Sequence, residues 1–124
     1  AARLGLYDTD PETRKPSKLV IDAGELTLDD TTGDRWRTVS LALKPGVYWT
    51  ACILKSATTM PVVRRVGGAI YGHMPQQNLD EVGSSAAYRY LEASQSYGAL
   101  PDDAPAVTPS GSSHGPVIAI RRAA

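Results

Sequence analysis

The run KPGVYWTACILKS, residues 44–56, constrains the fold more than any other part of this chain. Val47, Trp49, Ala51 and Ile53 alternate there with Tyr48, Thr50, Cys52 and Leu54. Successive side chains of a β-strand point to opposite faces, so a strand with one wet face alternates apolar with polar. Neither set here is made for water. The run therefore reads as a strand covered on both sides and entered through a Pro-Gly turn at 45–46. Three covers fit the second face: a second sheet, a neighbouring subunit, or the chain's own long middle segment.

The flanking sequence has the punctuation of a β protein. RLGLY at 3–7 reads as a strand with Leu4 and Leu6 on one face, and the loop at 8–18 carries Pro11, Pro16 and a charge cluster. KLVIDAGELTL at 18–28 reads as a second strand, in which Gly24 marks a bulge or a close approach. DDTTGD at 29–34 is a turn signal. RWRTVSLAL at 35–43 alternates strictly, with Trp36, Thr38, Ser40 and Ala42 opposite Arg37, Val39, Leu41 and Leu43. These strand-like runs recur about every 10–15 residues, the spacing of an antiparallel sandwich or jelly roll.

The remainder is less regular. Val62 to Val66 predicts a short strand interrupted by Arg64 and Arg65, followed by a long glycine-rich loop. AYRYLEASQSYGALP at 87–101 fits two patterns, an alternation that puts Tyr88, Tyr90 and Glu92 on one face and a helical spacing that pairs Ala87 with Leu91 and Tyr90 with Ser94. The extended form is favoured. Residues 101–116 read as a Pro/Ser/Gly-rich loop, and PVIAIRR at 116–122 as a closing strand. The sum is an all-β, antiparallel β-sandwich of jelly-roll type with little helix. Its expected core includes Leu4, Leu6, Val47, Trp49, Ala51 and Ile53.

Composition bounds the functional classes. The 124 residues make one domain, 1–124, long enough for a single core. Thirteen Lys and Arg balance thirteen Asp and Glu, and no basic stripe points to nucleic acid. No apolar run approaches the ~20 residues that span a bilayer, so membrane insertion is not expected. The single Cys52 excludes a disulfide framework and reads as a buried structural thiol. The chain opens Ala-Ala-Arg and enters a strand at once, which reads as the C-terminal part of a longer chain.

Three chemistries come into question for these residues. Asp8, Asp10 and Glu12 alternate, and Asp29, Asp30 and Asp34 cluster in a turn; hard cations want such oxygens. The glycine and terminal glutamate of an EF-hand loop are missing, and these acids read as solvated turns, so no metal or other cofactor is expected. His73 and His114 sit in Gly- and Ser-rich loops without the Gly-x-Ser-x-Gly elbow or a paired carboxylate, so an enzyme is not expected. Sugar recognition fits better: six Tyr and two Trp with no Phe favour aromatics that carry a polar handle. The candidate residues are Trp36, on a strand face with Thr38 and Ser40, and Tyr71, His73, Gln76, Gln77 and Asn78 in the loop YGHMPQQN.

Several of these motifs resemble a known pattern. Arg3-Leu4-Gly5-Leu6-Tyr7, Leu19-Val20-Ile21-Asp22-Ala23-Gly24, Gly33 and Pro45-Gly46-Val47-Tyr48-Trp49-Thr50-Ala51 resemble the C-terminal β-sandwich domain of tailed-bacteriophage fibre, spike and minor virion structural proteins. YGALP at 97–101 and the terminal PVIAIRR fit the same pattern, whereas 55–85 match nothing in it. The resemblance implies a virion location, extracellular once the particle is released, and a homotrimer that contacts other virion proteins. It also implies attachment to the bacterial surface, with a surface polysaccharide as ligand. A purely architectural trimerisation or capsid-decoration role with no ligand fits the motifs equally, because they are packing motifs and assign no catalytic residue.

Overall fold

A computed structural model describes residues 1–28, 33, 35–56, 65–66, 91–109, 115–116, 118 and 120. The chain is all-β: among the described residues there is no helix, and the strands are antiparallel. They are β1 (Ala2–Thr9), β2 (Pro16–Leu26), β3 (Tyr48–Leu54), β4 (Arg65–Val66), β5 (Leu91–Glu92), β6 (Thr108–Pro109) and β7 (Gly115–Pro116). The main sheet has the order β2-β1-β3, while β4 pairs with β7 and β5 with β6.

β1 and β2 form a hairpin with Thr9 opposite Pro16. Asp10 closes its tip: the Asp10 carboxylate accepts the amides of Glu12 at 2.9 Å and Thr13 at 2.7 Å, an Asx turn. These amides hold the exposed Asp10 carboxyl below its ordinary value, Thr13 contributing most. Arg14 follows in the left-handed region at φ 59°, a conformation that costs an L-residue ~1–2 kcal/mol. Arg14→Gly should therefore raise stability by about 0.5–1 kcal/mol, after the extra unfolded-state entropy of glycine is subtracted. A urea midpoint that falls instead would show that the arginine side chain holds the turn.

The expected bulge is present at Gly24. Leu4 pairs with Gly24 but Gly5 pairs with Asp22, leaving Ala23 as the extra residue. Gly24 takes φ 85°, which glycine adopts without a Cβ clash. β1 lies centrally and is covered on both faces, with Ala2 and Leu6 buried on one and Tyr7 on the other. Leu4, Trp49, Ala51 and Ile53 are half-buried. The antiparallel register places Trp49, Ala51 and Ile53 opposite Tyr7, Gly5 and Arg3, so these six residues share one face.

Three expectations need correction. Val47 lies outside β3 and is 52% exposed, because its carbonyl is held by the Thr9 hydroxyl at 2.7 Å at the end of the turn rather than by a sheet partner. RWRTVSLAL has the alternation of a strand but pairs with none among the described residues, and 36–47 are exposed throughout. Alternation shows that a segment suits a sheet; a partner is still needed to make it a strand. The Pro/Ser/Gly-rich stretch expected to be loop contributes β6, paired with β5.

Candidate functional site

The best-built polar cluster centres on Asp22, at the β2 bulge. Its Oδ2 accepts Arg3 Nη1 at 2.8 Å and the Leu100 amide at 3.0 Å, and its Oδ1 accepts the Gly24 amide at 2.8 Å. The salt bridge is largely withdrawn from solvent, with side chains 23% and 18% exposed for Arg3 and Asp22. Burial works to raise the Asp22 carboxyl, but the amides of Leu100 and Gly24 and the Arg3 guanidinium outweigh it and hold the group below its ordinary value. Arg3 Nε and Trp49 Nε1 are buried donors that meet no acceptor among the described residues.

Residues 97–104 strap across this cluster. Leu100 is buried against Gly5, and the Tyr7 hydroxyl donates to the Pro101 carbonyl at 2.8 Å. Burial, and then the charges of Asp22 and Asp102, push the Tyr7 phenol up. The strap continues along the outer edge of β2: Leu19 donates its amide to the Asp102 carbonyl and Ala104 donates to the Ser17 carbonyl, both at 2.7 Å. Lys18 and Asp103 form a bridge there and an exposed ion pair. At the other end the Tyr97 hydroxyl donates to Glu25 Oε2 at 2.6 Å, which holds the Glu25 carboxyl down and pushes the Tyr97 phenol up. Lys55 Nζ stands 5.8 Å from the centre of the Tyr97 ring. The strap lies on the face that carries Trp49, Ala51 and Ile53, so one face of β3 is covered in part by residues from the C-terminal third of the chain.

The arrangement locks a scaffold. The Asp22 carboxylate takes its three donors from Arg3, Gly24 and Leu100. Among the described residues no three His, Cys, Asp or Glu side chains are grouped to hold a metal. Asp8 accepts the Thr9 amide and Asp10 caps its turn; Asp29, Asp30 and Asp34 lie outside the described residues. A shallow polar cleft of about 380 Å³ separates the hairpin tip from residues 103–107. Cys52 on β3 is half-buried, and burial pushes its thiol up.

Of the candidate sugar-binding residues, Trp36 is 66% exposed on the segment before β3. Tyr71, His73, Gln76, Gln77 and Asn78 lie outside the described residues, as does His114. Sequence reasoning missed Asp22 and Leu100 as partners. The available signal was an acid and an arginine, Asp22 and Arg3, on strand faces that are otherwise apolar.

The fold and this cluster define an all-β chain braced by a long-range strap. No family model, no curated protein and no solved structure matches it.

Proposed function

We propose that this chain is a structural domain of a tailed-bacteriophage particle, from a fibre, spike or head fibre. In this reading the main sheet is one layer of a β-sandwich, and the domain works by assembling as a homotrimer. The observation that carries the proposal is the apolar segment 36–47, in which Trp36, Val39, Leu41, Leu43 and Val47 are each between 38% and 66% exposed. A chain that works alone gains nothing by presenting such a row to water. The motif residues that resemble the virion domains support the same reading, because Arg3, Gly5, Tyr7, Asp22, Gly24, Leu100 and Pro101 meet in the strap cluster and brace the fold. Sedimentation equilibrium of the purified chain should return three times the 13.2 kDa protomer mass. A monomer across the accessible concentration range overturns the proposal.

Exposure of Trp36 favours a second reading, attachment to the bacterial surface, since a solvent-facing indole suits stacking on a sugar ring. The fluorescently tagged chain should then label encapsulated bacteria more than a capsule-deficient strain, and Trp36→Ala or Tyr71→Ala should reduce the difference. Equal labelling of both strains excludes a capsular ligand.

A further inference from the structure

We propose that residues 91–109 form a clasp that opens from the main sheet as one unit while the sheet stays paired, with Leu100 as its catch. The inference stands apart from the assembly reading. Its first support is the neck of the loop. Leu91 pairs with Pro109 and Glu92 with Thr108, so the two ends of the excursion 93–107 are held together by β5 and β6. A compact loop closed at its own ends is a structural unit that needs no other strand to keep its ends together.

The second support is the way the clasp is fastened. Among the described residues, the partners of 97–104 lie on β1 and β2, apart from the Lys55 ammonium beside the Tyr97 ring. Tyr97 reaches Glu25, the Leu100 amide reaches Asp22, the Pro101 carbonyl accepts from Tyr7, and 102–104 meet 17–19. These are single contacts at spaced points. The Lys18–Asp103 pair is exposed, and such pairs contribute little. Within 91–109 only Leu100 is buried, seated on Gly5. β1, by contrast, is laddered along its length to β2 on one side and β3 on the other. Segments with few buried apolar contacts and few ladder bonds open at lower free energy than doubly paired strands. One catch and a row of point contacts therefore give way before the sheet does.

The clasp has a consequence for the sheet edge. Closed, it occupies the outer edge of β2 at Ser17 to Leu19, where Lys18 and Asp103 bridge. A free edge is a template for a further strand, so the clasp guards that stretch. Opening releases the Leu19 amide, the Ser17 carbonyl and the Tyr7 hydroxyl at once.

The test is native-state hydrogen exchange at low urea on the whole chain, on Leu100→Val and on Leu54→Ala. The amides of Leu19, Leu100 and Ala104 report the clasp, since each donates across its seam. They should share one opening constant, at least roughly tenfold above that of the β1–β3 ladder. Leu100→Val should raise the shared constant roughly fourfold, the effect of one buried methylene. Leu54 lies opposite Ala2, on the sheet face away from the clasp. Leu54→Ala should therefore speed exchange in the ladder and leave the shared constant where it was. Three unrelated constants overturn the inference, because the segment then has no single opening. Constants equal to the ladder's, or raised with it by Leu54→Ala, also overturn it, because the clasp then opens only when the whole chain unfolds. A constant unmoved by Leu100→Val removes Leu100 as the catch.

Discussion

Gly5→Ala should destabilise the chain by about 3 kcal/mol, a large share of the stability of a small domain. A Cβ at this position would overlap Leu100 Cδ1 and stand 2.9 Å from the Ile21 carbonyl oxygen. That oxygen is fixed in the β1–β2 ladder, so the strap must yield. Overpacking of this kind costs ~1–3 kcal/mol, and lifting a buried leucine off the sheet forfeits another ~1.5–3 kcal/mol. The two costs overlap, because a displaced strap no longer collides. Urea unfolding of Gly5→Ala, Leu100→Ala and the double variant measures the coupling. The double variant should lose clearly less than the two single losses together. Additive losses, or a Gly5→Ala cost below about 1 kcal/mol, would mean that Leu100 does not sit on Gly5.

Local patterning made the three strands of the main sheet legible. Alternation in 3–7, the apolar run of 47–54 and the glycine in IDAGEL marked β1, β3 and the bulge of β2, because each signal is confined to neighbouring residues. The strap was not legible, since Leu100 meets Asp22 across 78 positions and Pro101 meets Tyr7 across 94. No periodicity encodes a contact of that separation. Tyr7 illustrates the cost: its sequence neighbours suggest only the end of a strand, whereas the Pro101 carbonyl gives its buried hydroxyl a partner. Residues 35–43 failed in the opposite sense. Their pattern describes a strand correctly suited to a sheet, but the partner is not encoded in the segment itself. Of the candidate sugar site, only the exposure of Trp36 can be read from the described residues.

Asp22→Ala should cost about 2–4 kcal/mol, because one truncation strips a guanidinium and two backbone amides of their acceptor. The three bonds are not additive, and water reaching the vacated site recovers part of the loss. Asp22→Asn is the sharper probe, since the amide keeps the shape and one acceptor oxygen while removing the charge that faces Arg3. The same carboxylate sets an acid limit. Its folded pKa lies below the ordinary 3.8, so its stabilisation is fully present above that value and is lost as pH falls through the lower folded value. Tyr7 acts at the other end: its raised pKa gives a contribution that is complete below 10.0 and lost as pH rises through the folded value. Asp22→Asn should therefore flatten the acid limb of stability against pH and leave the alkaline limb in place, while Tyr7→Phe should flatten only the alkaline limb. If Asp22→Asn leaves the acid limb unchanged, the limit belongs to the exposed carboxylates Asp10 and Glu25, whose pKa values are also lowered. The strap would then be held by Leu100 packing, the Tyr7 hydroxyl and the amides along the β2 edge, with no share from the Asp22 charge.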